Sequence, residues 1–341
     1  MKKIKTIRLL YFLLFINFFF GCVPPSSNPL TKTGFFFDTV ITVTLYDSND
    51  ESLLEDCFSL AEKYESMFSA TLPDSDISKI NRAKGKPVEV REETITLLKK
   101  GLEYCKLSNG GFDITIGKLS SLWDFSDRQN ASVPESEAIA QAVSSIDYKK
   151  ILIDGNNVQL KNPDAAIDLG GIAKGYIADQ MKAFLNKNGV SSGTINLGGN
   201  VLCIGPKPDG SNYRIGIQKP FAAQGEAGAI VEVQSETVVS SGIYERYFKL
   251  DDAIYHHILN PATGAPYEND LLGVTIICKN SVDGDGLSTV CFSLGLEGGM
   301  ELIENTNGAE AIFITKDNQF HCSSGIGDTV MFEEIQNAGN P

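Results

Sequence analysis

The spacing of apolar residues predicts a strand and two helices in the first third of the chain. Residues Gly34 to Tyr46 are rich in β-branched and aromatic side chains, which is typical of a β-strand. Between Glu51 and Phe68 apolar residues recur at intervals of three and four, with charged residues between them, which predicts an amphipathic helix. A second helix is predicted over Glu92 to Ser108, because the pattern stops at Asn109 and two glycines, a common C-terminal signal.

Beyond position 150, short β-like runs dominate and three helical patterns interrupt them. The helices are predicted at about Ile172 to Asn188, Asp285 to Gly295 and Met300 to Thr306. The predicted strands are Ile151 to Asp154, Ala166 to Leu169, Thr194 to Leu197, Tyr213 to Gln218, Ala229 to Gln234, Tyr244 to Leu250, Ile254 to Leu259, Gly273 to Cys278 and Ala309 to Thr315. No linker-like composition interrupts positions 33–335, so this pattern predicts one mixed α+β domain over residues 33–335.

The first 21 residues have the organisation of a secretion signal. Four basic residues lie within the first eight positions, and the apolar run Leu9 to Phe20 that follows is too short to span a bilayer comfortably. The run ends at Gly21 and Cys22, before a Pro- and Ser-rich stretch, and this resembles the lipobox of bacterial lipoproteins. We therefore expect a signal peptide over residues 1–21 and a lipidated tether over residues 22–32.

Lipidation of Cys22 would anchor the protein to a bacterial cell membrane, facing the periplasm or the cell exterior. The alternative is a plain cleaved signal peptide, with Cys22 as a structural residue.

The acidic balance of the chain argues against nucleic acid as a partner. Among 341 residues, 42% are hydrophobic and 21% are charged, which is ordinary globular composition. The net charge is −14, and loss of residues 1–21 would remove basic residues but no acidic ones. Binding to a phosphate backbone requires a basic surface, which this composition does not favour.

The cysteines beyond Cys22 show no CxxC pair or other metal-binding spacing. Most of them stand within apolar runs, which predicts buried free thiols in a chain too large to need disulfide bonds. Disulfide pairing in an oxidising compartment is the alternative. They are Cys57, Cys105, Cys203, Cys278, Cys291 and Cys322.

Four glycine-containing clusters combine a tight backbone with polar or charged side chains. They are positions 110–113, 168–175, 196–200 and 240–242. Such loops can bring main-chain N–H groups close to the phosphates of a ligand, although glycine pairs more often serve ordinary turns. In the second cluster a predicted helix carrying Lys174 follows Gly170 and Gly171, an arrangement suited to an anion. The alternative is a simple turn with a solvated lysine.

Asp285 and Thr289 are four residues apart at the start of a predicted helix, so their oxygens can share one face. Hard oxygen ligands of this kind suit Mg²⁺. The alternative is an aspartate that caps its own helix and a threonine that faces the core.

His256 and His257 lie on a predicted strand that leads to a Pro- and Gly-containing turn. Because side chains alternate along a strand, the two rings are expected to point to opposite sides. One ring can therefore face a site as a general base and the other solvent or the core, and loss of the ring that faces away is expected to have little effect. A structural strand histidine is the alternative.

Seven segments in this order resemble the ApbE family, the FAD:protein FMN transferases, which are often periplasmic lipoproteins. They lie at positions 68–81, 110–113, 168–179, 196–200, 240–248, 257–264 and 285–289, and the resemblance covers roughly residues 35–330. It implies a single mixed α/β domain of the ApbE type, which is T-fold-like.

The resemblance implies a Mg²⁺-dependent enzyme that cleaves the pyrophosphate of FAD, attaches FMN to a Ser or Thr and releases AMP. The implied acceptor is a membrane redox protein, such as a subunit of the Rnf or Na⁺-translocating NADH:quinone oxidoreductase type. With water as acceptor, the same site would be an FAD pyrophosphatase. A third hypothesis is a lipoprotein that binds flavin without catalysis.

The resemblance also assigns residues. It implies that FAD is lined by Phe37, Gly111, Phe112, Asp113, Asp168, Lys174 and the main chain of Leu259. Mg²⁺ would take side-chain oxygens from Asp285 and Thr289 and the carbonyl of Gly171, and His257 would accept the proton of the attacking hydroxyl.

Two positions depart from the family pattern. Ser288 stands where some members have an aspartate, which predicts a weaker or more hydrated metal site. Thr71 stands where some members have a tyrosine that covers the flavin ring, which predicts looser flavin binding and a shift toward hydrolysis.

Overall fold

The computed structural model describes residues 28–125 and 131–335. The predicted signal peptide and Cys22 lie outside this part of the chain. Within it, no helix combines the length and the apolar character that a membrane crossing needs.

The centre of the fold is an eight-stranded antiparallel sheet. The strands of the protein are β1 (Leu30–Phe36), β2 (Thr39–Leu45), β3 (Val88–Glu89), β4 (Ile151–Asp154), β5 (Asn157–Leu160), β6 (Gly193–Leu197), β7 (Asn200–Ile204), β8 (Tyr213–Gln218), β9 (Ala227–Val233), β10 (Thr237–Gly242), β11 (Tyr247–Leu250), β12 (Ala253–His256), β13 (Leu271–Cys278), β14 (Ala309–Thr315), β15 (Phe320–Cys322) and β16 (Met331–Glu334). The large sheet has the order β1-β2-β6-β7-β10-β13-β14-β15. Two three-stranded sheets, β16-β9-β8 and β3-β5-β4, and the β11-β12 hairpin surround it.

The helices of the protein are α1 (Glu51–Phe68), α2 (Asp76–Arg82), α3 (Glu92–Leu107), α4 (Gly117–Trp123), α5 (Ser136–Ser144), α6 (Ala173–Lys187) and α7 (Ser281–Glu304). Three of the helices, α1, α6 and α7, pack against strands of the large sheet. α7 packs on β10 and β13, α6 packs on α7, and α1 packs on α6. Every residue of β13 is buried, as expected for a central strand. The mixed α+β class and the extents of α1 and α3 confirm the predictions.

The predicted first strand is instead a hairpin, β1–β2, because the chain reverses at Phe37 and Asp38. Both residues have positive φ, of 52° and 55°, which two-residue hairpin turns require. β1 begins at Leu30, so it includes residues 30–32 that were predicted to belong to the tether. Leu30 itself packs against the core.

Three further predicted elements differ from those in the structure. The segment Ala166 to Leu169 forms only an isolated bridge, between Ala166 and Ile116, and no strand. β12 ends at His256, three residues before the predicted end. α7 begins at Ser281 rather than at Asp285, and Gly295 breaks it with a non-helical φ of 75°, near the predicted gap.

α6 and α7 cap each other across their packed interface. The Asp179 carboxylate on α6 accepts from the N–H groups of Ser281 and Val282 at 2.7 and 2.9 Å, at the start of α7. In return, Asp285 on α7 accepts from the N–H of Gly175 at 2.6 Å, in the first turn of α6. Both carboxylates therefore satisfy helix N–H groups that have no partner within their own helix.

Gly175→Ala should destabilise the protein by about 1–3 kcal/mol or more, the range for overpacking. A Cβ at this position would lie far inside contact distance of the backbone of Ser281, which cannot move independently of α7. Gly228→Ala is the control, because its Cβ would make only ordinary contacts at 3.5 Å. Thermal unfolding of the two variants should separate them. Equal melting temperatures would contradict this packing.

The prediction of buried free thiols is confirmed for the described part of the chain. Cys57, Cys105, Cys203, Cys278 and Cys291 are buried free thiols, and Cys322 is a half-buried one. Burial raises the pKa of Cys57, Cys203 and Cys291 to about 12. These thiols are therefore protonated, and they are poor nucleophiles.

Candidate active site

Asp285 lies at the meeting point of α6, α7 and the β6–β7 turn. Its side chain is 4% exposed. One carboxylate oxygen accepts from the N–H of Gly175 at 2.6 Å and the other from Nδ2 of Asn200 at 3.0 Å. Burial raises the pKa of Asp285, and the nearby positive charge of Lys174 opposes this rise. The carboxylate therefore occupies a protein interior that favours a compensating cation.

Thr289 lies one turn after Asp285 on the same helix, and it is half-buried. Its hydroxyl is 3.4 Å from the hydroxyl of Ser241 on β10. Ser288 is fully buried, and its hydroxyl bonds to the carbonyl of Asp285 and to Ser241 at 2.9 and 2.8 Å. The helix therefore places Asp285 and Thr289 on one face, as the spacing predicted.

The turn before α6 brings Asp168, Gly171 and Lys174 together. The Asp168 carboxylate accepts from the N–H of Gly170 at 2.8 Å and from the hydroxyl of Ser120 at 2.7 Å, which fixes the turn. Lys174 is half-buried in the first turn of the helix. Its Nζ donates to the carbonyl of Gly170 at 3.4 Å, and its positive charge acts to lower the pKa values of both Asp285 and His257.

The Gly110–Asp113 loop packs directly on this turn. The ring of Phe112 leaves no space for a side chain at Gly171, where a Cβ would lie 2.8 Å from the ring edge. The Asp113 carboxylate is buried and accepts from three donors, the N–H and hydroxyl of Thr115 and the N–H of Tyr148, at 2.7 to 3.0 Å. Its side chain supports the loop from inside.

His257 lies directly after β12, in a half-buried position that protein atoms surround closely. Its Nδ1 is 3.3 Å from the carbonyl of Arg246, which can only accept, so Nδ1 carries the proton and Nε2 holds the free lone pair. Burial, followed by the charges of Arg246, His256 and Lys174, lowers the pKa of His257 to about 3. The imidazole is therefore neutral and its Nε2 can accept a proton.

His256 points away from His257, as strand alternation predicted, but it points into the core. Its ring is 5% exposed, and it lies edge-on to Phe292 with 6.0 Å between ring centroids. Its Nε2 is 3.1 Å from the carbonyl of Tyr267. The expectation that loss of this ring has little effect does not fit such a buried, bonded position.

Phe37 and Leu259 pack in two different apolar clusters. Phe37 is at the tip of the β1–β2 hairpin, and its N–H donates to the Glu65 carboxylate at 2.7 Å. Thr39, at the start of β2, fills the space beside Gly198, in the turn that leads to Asn200. Leu259 is buried in a second apolar cluster that includes Trp123 and Phe248.

Thr71 is exposed in the loop before α2, where its hydroxyl is 3.0 Å from that of Ser69.

The structure adds residues that sequence reasoning did not assign to the site. Asn200 orients Asp285, and Ser241 faces both Ser288 and Thr289. Both belong to glycine-containing clusters noted in the sequence, so the signal was present. Tyr267 and Ser293 lie against Gly111, and no sequence pattern marked either of them.

Comparison with known proteins shows the family of this chain. The sequence model of the ApbE family matches residues 37–313. A FAD:protein FMN transferase of Klebsiella pneumoniae is 36% identical over 288 residues, which cover 83% of this chain and 88% of that protein. A FAD:protein FMN transferase of Treponema pallidum is 33% identical over 294 residues, covering 81% of each.

Solved structures show the same fold. The ApbE protein of Thermotoga maritima superposes with a TM-score of 0.78 at 32% identity, covering 87% of this chain and 97% of that one. The flavin transferase ApbE of Vibrio cholerae gives the same TM-score and coverage at 27% identity. With its family match over most of its length, this chain belongs to the ApbE family.

Proposed function

We propose that this protein is a FAD:protein FMN transferase, which cleaves the pyrophosphate of FAD, attaches FMN to a Ser or Thr of an acceptor protein and releases AMP. The observation that carries the proposal is the bond from the N–H of Gly175 to the buried carboxylate of Asp285, which joins the α6 turn that bears Lys174 to α7. The charge of Lys174 also acts on the pKa of His257. A cation, a neutral imidazole and a buried carboxylate are the groups that phosphoryl transfer requires. Curated relatives with this activity support it.

Mg²⁺ fits the chemistry of the donor set. The described part of the chain contains no cluster of three His, Cys, Asp or Glu side chains, so a metal here relies on one carboxylate and neutral oxygens. Within the described part of the chain, each Asp285 oxygen accepts one hydrogen bond and retains a lone pair. We propose that Asp285, Thr289 and the carbonyl of Gly171 hold Mg²⁺. The bound ion would offset charge on the pyrophosphate.

The protein's own groups have distinct tasks. Lys174 offsets negative charge on the pyrophosphate as the bond to AMP breaks. His257 takes the proton of the attacking hydroxyl on Nε2, while Arg246 holds Nδ1–H through its carbonyl. The pyrophosphate of bound FAD adds negative charge beside His257, which raises the pKa of the imidazole from its low value and makes it a stronger base.

Two other functions use the same residues. With water in place of the acceptor hydroxyl, the site would hydrolyse FAD to FMN and AMP, and the exposed Thr71 in place of a stacking aromatic is the observation that favours this activity. A non-catalytic flavin-binding lipoprotein would leave Asp285 with only its structural bonds to Gly175 and Asn200. We propose membrane redox subunits of the Rnf or Na⁺-translocating NADH:quinone oxidoreductase type as acceptors.

The proposed activity is tested by incubating the protein with FAD and Mg²⁺ and measuring AMP by chromatography. We expect AMP release that requires Mg²⁺ and stops with EDTA. No AMP release with any acceptor, together with tight FAD binding, would support the non-catalytic reading instead.

We also propose that Cys22 carries the lipid anchor. The full chain produced in a bacterial host should enter the detergent phase on detergent partitioning, because acyl chains on Cys22 prefer an apolar phase. A chain that starts at residue 23 should enter the aqueous phase with an unchanged melting temperature, since the first strand begins only at Leu30. Aqueous partitioning of the processed full chain would contradict lipidation.

A further inference from the structure

Tyr267 connects two segments of the proposed FAD site, although no sequence pattern singled it out. Its main-chain N–H donates to the carbonyl of Ile258 at 2.9 Å, which holds it beside the segment of His257. Its phenol hydroxyl donates to the carbonyl of Gly111 at 2.8 Å. A single side chain therefore ties the His257 segment to the Gly110–Asp113 loop, across 156 positions of sequence.

The core side of Tyr267 is fixed by His256. The carbonyl of Tyr267 can only accept, so Nε2 of His256 donates to it at 3.1 Å and Nδ1 is unprotonated. Burial lowers the pKa of His256 to about 4, so the ring is neutral near pH 7. Nδ1 is buried without a hydrogen-bond partner in the described part of the chain. The ring thus anchors the backbone of Tyr267 as a neutral donor.

The Gly110–Asp113 loop leaves no free space around this contact. A Cβ on Gly111 would lie 2.8 Å from Oγ of Ser293 and 3.1 Å from the hydroxyl of Tyr267. The neighbouring loop contacts are local ones to the end of α3, from Gly110 N–H to the carbonyl of Cys105 and from Phe112 N–H to Oγ of Ser108, both at 2.8 Å. These local bonds shape the loop, whereas the Tyr267 bond links it to the segment that carries His257.

We propose that Tyr267 is a positioning residue for FAD, whose hydroxyl holds the main chain of Gly111 in place relative to Lys174 and His257. The proposal rests on the proposed function, because FAD is the ligand that the loop meets. Tyr267 takes no part in proton transfer. Burial raises the pKa of its phenol to about 12, so it remains a donor at neutral pH. Its loss should therefore weaken FAD binding more than turnover.

The test is Tyr267→Phe, which removes one hydroxyl and keeps the ring. We expect the KM and the dissociation constant of FAD to rise about 2- to 10-fold, the effect of one net hydrogen bond, with kcat within about twofold. The dissociation constant is measured by calorimetric titration with Mg²⁺ chelated, so that FAD is not consumed. Tyr213→Phe is the matched control, because its hydroxyl bonds to Ser192 at 3.0 Å at the opposite end of β6 from the Gly198 turn.

Unchanged FAD affinity in the Tyr267→Phe protein would overturn the proposal, even if the melting temperature fell, because Tyr267 would then be only structural. An equal rise in the Tyr213→Phe protein would overturn it as well. Failure of the proposed function looks different: the unsubstituted protein would bind FAD without releasing AMP, and the dissociation constants would still test Tyr267.

Discussion

His257→Ala should lower kcat by roughly 10²- to 10⁴-fold, the usual range for a lost general base. The dissociation constant of FAD should change little, because the proposed role of the imidazole is to accept the proton of the attacking hydroxyl rather than to hold the nucleotide. The structure supports this role, since Nδ1 bonds to the carbonyl of Arg246 and leaves Nε2 free. Single-turnover measurements with saturating FAD separate the chemical step from binding.

His321→Ala is the matched control for this experiment. His321 is exposed on β15, at the far edge of the large sheet from the β1–β2 hairpin, so its loss should leave kcat and the melting temperature unchanged. His256→Ala is unsuitable as a silent control, because His256 is buried and bonded to Tyr267. Full turnover in folded His257→Ala protein would assign activation of the acceptor to another group.

Asp285→Ala should abolish Mg²⁺-dependent AMP release, because it removes the only carboxylate proposed to hold the metal. It should also cost stability of about 1–3 kcal/mol, since the N–H of Gly175 and the amide of Asn200 lose their acceptor. Glu301→Gln, an exposed carboxylate on the same helix, is the control and should be fully active.

A binding measurement distinguishes a lost metal site from a damaged fold. Mg²⁺ and FAD together should raise the melting temperature of the unsubstituted protein and of Glu301→Gln, since ligands that bind only the folded state stabilise it. The melting temperature of Asp285→Ala should start lower and should not respond to Mg²⁺. Mg²⁺-dependent AMP release by this variant would move the metal elsewhere in the protein.

Local patterns predicted those elements whose sequence is strongly periodic. α1 runs from Glu51 to Phe68, as its apolar spacing indicates. The β1–β2 hairpin was missed because its turn uses Phe37 and Asp38 with positive φ, without the glycine that usually marks such turns. The start of α7 was missed because its first N–H groups are capped by Asp179, about 100 positions away, rather than by a nearby residue.

The same contrast between local and long-range relations holds for the residues of the candidate active site. The i, i+4 spacing of Asp285 and Thr289 placed both on one helix face, because that relation is local. The bond from Asn200 to Asp285 and the bond from Tyr267 to Gly111 join residues that are 85 and 156 positions apart. No local rule brings such pairs together, so their contribution became visible only in the folded chain.

Mass spectrometry of an acceptor peptide is the most direct test of FMN transfer to a protein. The peptide carries the Ser or Thr flavinylation motif of an Rnf-type subunit, and it is incubated with the protein, FAD and Mg²⁺. We expect that it gains one covalent FMN group on that hydroxyl, with AMP released in equal amount, and that the peptide with Ala at that position gains none. Free FMN and AMP formed at the same rate with and without the peptide, with no change in peptide mass, would contradict transfer and identify the protein as a hydrolase.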